Sequence, residues 1–506
     1  MTEFDALLAE GHERLTGKDY VAAAKAFVAA ARLDAKSFAA VRGLGIAMSF
    51  INDKSATAFS YLELAAELNG GQLDAEALQA YGLSLAYGGQ ADRAAAVFDS
   101  LARNDGSSLH YLLRLEQHWQ RGDMAATQRA AHDLLTHPDC WDPAVDTHAV
   151  LAPRLVLNTV IGEQSTRLDL ICKARALGWP VPEVLVLNAY GKIANRAMLD
   201  YWRPHFAMIE DVIIPPHSMK IFPTFAYRAG DGDAYPKNLA YALVNREWAK
   251  RRLPPVLSLT PEHHERGLAV LGEMGVPKDA WYALLHVRSA SFNDDGGANH
   301  NSLRNAALES YLPAIRRIVE AGGWVLRMGD AGMPPLPAMP GVVDYARSAW
   351  KSDWMDAFLC GSSAFAVVTQ SGLLHICQAF GVPVVLTNVL PNSILALRAD
   401  DLVIPRKLHS RAEDRILSFR EAYRPPYVNT EVQLALDLLG CEALPHTAME
   451  ISDVVGEMVD RHLGRAVYTE ADERLQRRFV AGVDYHGFGQ IGRIGRVFLR
   501  DHMHFL

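Results

Sequence analysis

Two apolar runs between Trp281 and Asn388, each ending in polar and glycine residues, constrain this chain more than any other feature. The first, WYALLHVRSASFNDDGG (281–297), reads as a buried strand that stops at His286-Val287-Arg288 and opens into a polar loop. The second, AFAVVTQSGLLHICQAFGVPVVLTN (364–388), reads as strand, Thr369-Gln370-Ser371-Gly372 turn, short helix, Gly381 and a further strand. Short apolar runs bounded by turn residues are the mark of strands in a sheet buried on both faces. Such a sheet, when open and parallel, binds ligands beyond the carboxyl ends of its strands. A helix starting there aims free N–H groups and its positive end at an anion. Arg288 and the Ser371-Gly372 helix start together predict a diphosphate cradle, and with it a nucleotide-linked substrate.

The rest of the chain falls into blocks. From about residue 4 to 137 the pattern is helical and repetitive. GKDYVAAAKAFVAAARLD at Gly17 recurs as GGQADRAAAVFDSLARND at Gly88, which sets Phe27 against Phe98. A middle copy puts Ala58 and Leu62 in the places of Ala23 and Phe27, and a weaker copy starts at Gly122. A spacing of roughly 34–36 residues with small residues in each second helix predicts a TPR-like α-solenoid over 1–140. Arrays of this kind offer a concave surface to another chain. A Pro- and Asp-rich junction follows at 137–153. Beyond it strands and helices alternate, which predicts parallel α/β sheets. RLVLNTVIGE (154–163) reads as a strand ending at Gly162-Glu163, before the helix STRLDLICKARALG. A second cycle begins at Trp281. The expected layout is two Rossmann-like domains, 150–275 and 276–440, with C-terminal helices at 441–506 packed on them.

Composition excludes several classes. Half of the 506 residues are hydrophobic and 21% are charged, so substantial cores can form. A net charge of −8 and a pI near 6.2 argue against a general nucleic-acid binder. Five cysteines without a CxxC pair suit a reducing compartment and indicate neither a zinc site nor a disulfide framework. Met1–Asp19 carries acidic residues where a signal peptide has basic ones, and no run reaches the ~18 apolar residues of a membrane span. The expectation is a cytoplasmic protein with no transmembrane segment, which leaves peripheral membrane contact open.

The segments HVR, RNAALESYLPAIRRIVEAGGWVLRMGD (304–330), MPPLPAMPGVVDYARS, KSDWMDAFL, TQSGL and FGVPVVLTN follow one another in order. This series, with IGEQSTRLDLICKARALGW before it and GRIGRVFL at the end, resembles a bacterial glycosyltransferase family of GT-B fold. That family occurs in surface-carbohydrate gene clusters and often carries TPR repeats. TQSGLLHICQAFGVPVV is also similar to the donor-binding turn of heptosyltransferases. The HVR strand end is similar to the HxR motif of fucosyltransferase-like enzymes, whose arginine contacts the donor diphosphate. Ser289 stands where those enzymes usually have a second arginine, which argues against a GDP-fucose donor. The resemblance implies metal-independent transfer of a sugar from a nucleotide-sugar donor to a glycan or protein acceptor, without a cofactor. It also implies a protein partner or acceptor held on the repeats.

Such chemistry stabilises charge on a leaving phosphate, removes a proton from the acceptor hydroxyl and aligns the reactants. Arg288 is the expected phosphate clamp, because a guanidinium pairs with phosphate oxygens. Ser371 and Gly372 offer a hydroxyl and an open backbone N–H, and His375 a ring nitrogen one turn on. His286, Arg327, Gly329 and Asp330 end neighbouring strands as further donor contacts, with Lys351, Ser352, Asp353 and Asp356 as similar candidates. Glu163, at the strand end on the cleft edge, and Asp295, beside Asp294 in the loop after Arg288, are the candidate bases, with His286 as another option. Asp231-Gly232-Asp233, a DxD string in a glycine-rich loop, reads as a surface turn and not a metal site. Two other readings share these features: a nucleotide-sugar epimerase of GT-B fold, and a TPR scaffold with a degenerate α/β part.

Overall fold

The computed structural model describes residues 2–51, 55–151, 161–189, 193–210, 219–289, 302–391, 398–428, 430, 433–483 and 492–506. The chain divides into two compact units, one built mainly on residues up to Leu134 and the other on most of the remainder.

The smaller unit is all helical. Its main elements are α1 (Glu3–Thr16), α2 (Tyr20–Leu33), α3 (Phe38–Ser49), α4 (Phe59–Leu68), α5 (Ala75–Tyr87), α6 (Ala91–Asp105), α7 (Ser108–Gln120) and α8 (Met124–Leu135). Side chains of Thr2, Asp19, Ser37 and Asp74 accept backbone N–H groups at the starts of α1, α2, α3 and α5. Such caps occupy donors that a helix cannot satisfy itself. Ala23, Phe27, Ala58, Leu62, Ala94 and Phe98 are all fully buried. The two positions aligned across the three copies are therefore buried alike. Small residues allow it: a Cβ built on Gly43 of α3 would lie 2.5 Å from the Phe27 ring, and one on Gly82 of α5 2.6 Å from Phe98.

The larger unit holds two parallel sheets on one continuous hydrophobic core. The first sheet has β1 (His148–Leu151), β2 (Val184–Ala189), β3 (Ala207–Glu210) and β4 (Ile221–Phe222) in the order β3-β2-β1-β4. A small hairpin, β5 (Ala226–Arg228) and β6 (Ala234–Pro236), follows. Around these lie α9 (Ile161–Ala176), α10 (Arg196–Trp202), α11 (Lys237–Lys250) and α12 (Pro261–Glu273). The second sheet uses β7 (Tyr282–His286), β8 (Trp324–Arg327), β9 (Val342–Val343), β10 (Phe365–Thr369), β11 (Val384–Val389) and β12 (Leu402–Pro405). Its order is β9-β8-β7-β10-β11-β12, and a late strand, Arg493–Ile494, pairs with β12 at the edge. α13 (Leu312–Glu320), α14 (Asp353–Ser362) and α15 (Gly372–Ala379) connect these strands. Every residue of β10, β11 and β12 is buried, as strands covered on both faces require.

Some boundaries differ from the sequence reading. Residues 154–160 of the strand expected at 154–163 lie outside the described residues, but Gly162 and Glu163 lie in the first turn of α9 rather than at a strand end, and His148–Leu151 forms a strand before them. Of GVVDYA only Val342–Val343 is strand, because a 3₁₀ turn takes over at Tyr345–Arg347. The C-terminal region contributes the edge strand Arg493–Ile494 as well as the helices Ala448–His462, Glu470–Val483 and Arg496–Asp501. The strand expected at 211–216 lies outside the described residues. No helix among the described residues is long and apolar enough to cross a membrane.

Two glycine substitutions are expected to move stability in opposite directions. Alanine gains ~1 kcal/mol over glycine inside a helix, but overpacking a filled core costs about 1–3 kcal/mol. Gly43→Ala, blocked by the buried Phe27 ring, is expected to lower the melting temperature. Gly272→Ala on α12, where the added Cβ meets nothing within 4 Å, is expected to hold or raise it. Calorimetric melting of both variants beside the wild type measures the contrast.

Candidate functional site

Both parallel sheets reverse their winding direction beside their first strand. In the second sheet the chain runs outward from β7 to β8 and β9, then returns to lay β10 on the other side of β7. A crevice forms where such a sheet changes direction, beyond the carboxyl ends of the two central strands. Arg288 stands two residues past the end of β7, and Ser371-Gly372 lies just past β10. The backbone N–H of Arg288 donates to Thr369 Oγ1 over 3.1 Å, which ties the two strand ends together. Ser371 is the N-cap of α15, yet its hydroxyl makes no capping bond. Its Oγ is sealed from solvent with no partner among the described residues. The first N–H groups of α15 have no intrahelical acceptors either.

Arg304 adds a second guanidinium. Burial and the nearby Arg304 charge lower the pKa of Arg288, so two like charges face one region. The loop behind them is held by backbone contacts. Ala306 N–H donates to Arg288 O (3.0 Å), and Asn388 Nδ2 donates to Asn305 O (3.0 Å). Asn388, at a left-handed φ of 56°, donates its own N–H to His446 Nδ1 (3.1 Å). With Nδ1 accepting, the ring proton sits on Nε2, which donates to Pro405 O (3.1 Å). Burial pushes the His446 pKa down to about 4, so the ring is neutral and this arrangement persists at neutral pH.

The first sheet reaches the same place through α9, the helix that follows β1. A Cβ on Gly162 would lie 2.6 Å from the Gly372 Cα, so α9 and α15 touch backbone to backbone at their N-terminal turns. Only glycine permits that approach. Glu163 comes next, paired with Arg167 Nε at 2.8 Å and Lys237 Nζ at 3.8 Å. Arg167 also donates to Thr224 O (3.2 Å) and stacks over Phe225 with its guanidinium carbon 4.2 Å from the ring centroid. Burial alone raises the Glu163 pKa, but Lys237 and Arg167 outweigh it and hold the carboxyl at about 2. A carboxylate so stabilised accepts protons poorly. The geometry suits Glu163 better to fixing two cations at the crevice.

The residues singled out from sequence divide into two groups. Arg288, Ser371, Gly372, His375 and Glu163 come together: the charges of Glu163, Lys237 and Arg304 all act on the His375 ring, whose pKa burial pushes down to about 4. His286 also lies beside this cluster, pushed down to about 4 by burial and then by Arg327 and Arg288. Arg327 is different. It is 1% exposed, and its guanidinium donates to Asp344 Oδ1 (3.0 Å) and Pro334 O (2.9 Å). Met333 packs where a Cβ on Gly329 would stand, and Asp330 Oδ1 accepts the Gly332 N–H at 2.9 Å. Lys351 pairs with Asp356, and Asp353 accepts the Arg196 N–H at 2.9 Å, joining α14 to the start of α10. Asp295 and its neighbour Asp294 lie outside the described residues.

Asp231 and Asp233 occupy the turn between β5 and β6, where Asp231 Oδ1 accepts the Asp233 N–H at 3.0 Å. Among the described residues no three His, Cys, Asp or Glu side chains are grouped to hold a metal ion. Sequence reasoning did not find Arg167 or Lys237. Arg167 carried a signal, four residues from Glu163 on what proves to be one helix, hidden by reading Glu163 as a strand end. Lys237 carried none.

No protein-family model matches this chain, and no protein of curated function matches its sequence. Solved structures that are similar include the ADP-heptose lipopolysaccharide heptosyltransferase II of E. coli, with 9% identity and a TM-score of 0.30 over 52% of this chain and 90% of that one. A mutant O-GlcNAc transferase from Thermobaculum terrenum is similar at 12% identity and a TM-score of 0.31, covering 100% of this chain and 99% of that one. A glycosyl transferase family 9 protein from Veillonella parvula is similar at 10% identity and 0.31, covering 53% and 88%. Likenesses this slight carry no argument about the chain.

The Glu163 cluster makes a pH prediction. Its folded pKa, about 2, lies below the ordinary 4.5, so its contribution to stability is present above pH 4.5 and fades as pH falls toward 2. Glu163→Gln is expected to melt below the wild type at pH 7, with a gap that narrows on acidification below pH 4.5. Melting curves from pH 7 to pH 3 measure it.

Proposed function

We propose that this chain is a glycosyltransferase of GT-B architecture. It moves a sugar from a nucleotide-sugar donor to a glycan or protein acceptor. One observation carries the reading: the N-terminal turns of α9 and α15, one from each sheet, meet beside Arg288 at the switch point of the second sheet. Two helix ends and an arginine pair form a place for negative charge, as a nucleoside diphosphate leaving group demands.

In this reading the donor diphosphate lies across Arg288, the Ser371 hydroxyl and the Gly372 N–H, with Arg304 alongside. The fixed guanidiniums and helix ends supply the charge stabilisation that a metal ion supplies in other enzymes, so the transfer is metal-independent. The acceptor enters from the first sheet, past Glu163 and Lys237. The helical unit serves as a TPR-like solenoid that recruits the acceptor or a protein partner. The work is cytoplasmic and belongs to surface-carbohydrate assembly or protein glycosylation.

Calorimetric titration with UDP, GDP, dTDP, CMP and ADP tests this directly. One nucleotide is expected to bind. Arg288→Ala is expected to weaken it on the order of 10–100-fold, since a hydrogen bond to a charged group is worth about 1.5–3 kcal/mol. Absence of binding by all five overturns the proposal.

A further inference from the structure

The end of β11 makes two demands on one residue. Asn388 is 4% exposed and sits at a left-handed φ of 56°. Glycine, asparagine and aspartate tolerate that backbone best. The side chain must also donate, because Nδ2 faces the Asn305 carbonyl at 3.0 Å and a carbonyl only accepts. An ionised aspartate has no proton to give, and glycine has no side chain. Of the three, asparagine is the one that meets both demands.

His446 fixes the backbone half of the arrangement. Pro405 O only accepts, so the ring proton lies on Nε2 (3.1 Å), which leaves the Nδ1 lone pair for the Asn388 N–H (3.1 Å). The residue before Asn388 holds the same segment further along: Tyr311 and Thr387 join hydroxyl to hydroxyl over 2.7 Å. β11 is secured at its start as well. Asp401 Oδ1 accepts the Val384 N–H, and Oδ2 accepts Gln378 Nε2 of α15, both at 3.0 Å. The segment from 305 to 311 is thus pinned at both ends to one fixed strand end. Arg304 leads into it, and Ala306 donates its N–H to Arg288 O over 3.0 Å.

We propose that Asn388 and His446 are positioning residues for Arg304, holding its guanidinium beside Arg288 so that the two together grip a diphosphate. The statement rests on the diphosphate site proposed above, and not on what the diphosphate carries. Two guanidiniums repel each other, and an untethered arginine beside a fixed one turns out to solvent when no anion is bound. Tethering the backbone next to Arg304 shortens the arc that its side chain can sweep, so less order has to be imposed when the anion arrives. Asn388 and His446 act through the 304–306 turn, and neither touches the diphosphate.

The test is calorimetric titration of the full chain with inorganic diphosphate, in the wild type and in a double-mutant cycle. Arg304→Ala is expected to weaken binding on the order of 10–100-fold, as loss of a hydrogen bond to a charged group does. Asn388→Gly keeps the left-handed backbone and removes the donor, and it is expected to weaken binding about 5–10-fold. In the Arg304→Ala background the same glycine is expected to change affinity by less than about 2-fold, because the group it positions is already gone. A loss of general stability would appear in full in both backgrounds.

His446 supplies the rescue. His446→Leu fills the space without either hydrogen bond and is expected to bind as weakly as Asn388→Gly. His446→Gln, whose amide offers one acceptor and one donor as the neutral imidazole does, is expected to stay within about 3-fold of the wild type. Should His446→Leu not fold, the Asn388 cycle decides by itself. Equal losses from Asn388→Gly with and without Arg304, no loss at all, or equal binding by the two His446 variants overturns the proposal. A wild type that binds no diphosphate overturns the site and this inference with it. Diphosphate binding coupled to Asn388, with no transfer from any nucleotide sugar, counts against the glycosyltransferase reading alone, so the failures are told apart.

Discussion

The larger unit depends on one close approach, that of Gly162 to Gly372. Two helices that belong to different sheets meet there with no side chain between them. Aligned peptide dipoles leave partial positive charge at each of these turns, and bringing two such ends together is unfavourable unless negative charge lies nearby. Glu163 meets part of that need from within the chain, and in doing so gathers Arg167 and Lys237 around itself. The surrounding excess of positive charge is thus a consequence of backbone packing as much as of composition. A chain with a net charge of −8 concentrates positive potential at one spot.

Three histidines around this region are kept uncharged by burial: His286, His375 and His446. Their shared neutrality has different uses. His446 bridges the end of β11 to the end of β12, passing a hydrogen bond from Asn388 to Pro405. Charging it would place a second donor against the Asn388 N–H and break that bridge. His286 is flanked by Arg327 and Arg288, where a further positive charge would be opposed on two sides. Neutral imidazoles among fixed guanidiniums let the region stay polar without raising its charge further.

What could be read from the sequence follows the physics of each element. β7, β10 and β11 stood out because strands buried on both faces must be apolar without interruption, and the turn after β10 had to hold Ser371 and Gly372. The helical repeats stood out because Phe27 and Phe98 need small partners at fixed spacing. β1 did not stand out. HAVL is only four residues long, and the longer apolar stretch after it fits a strand pattern better. The consequence was to place Glu163 on a strand end and miss its helical partner Arg167. Lys237 and Asp401 were invisible for another reason: each meets its partner through tertiary packing, Lys237 reaching Glu163 and Asp401 reaching Gln378, and no local periodicity encodes such meetings.

The strand Arg493–Ile494 carries a consequence for how the chain is made. It pairs with β12, a strand that is otherwise the open edge of the second sheet. During synthesis, β12 leaves the ribosome long before residue 493 does. For that interval its unpaired N–H and C=O groups form a ready template for strands of other nascent chains. Closure of that edge therefore waits until residue 493 has been made. A chain cut short after β12 and before Arg493 keeps one adhesive edge.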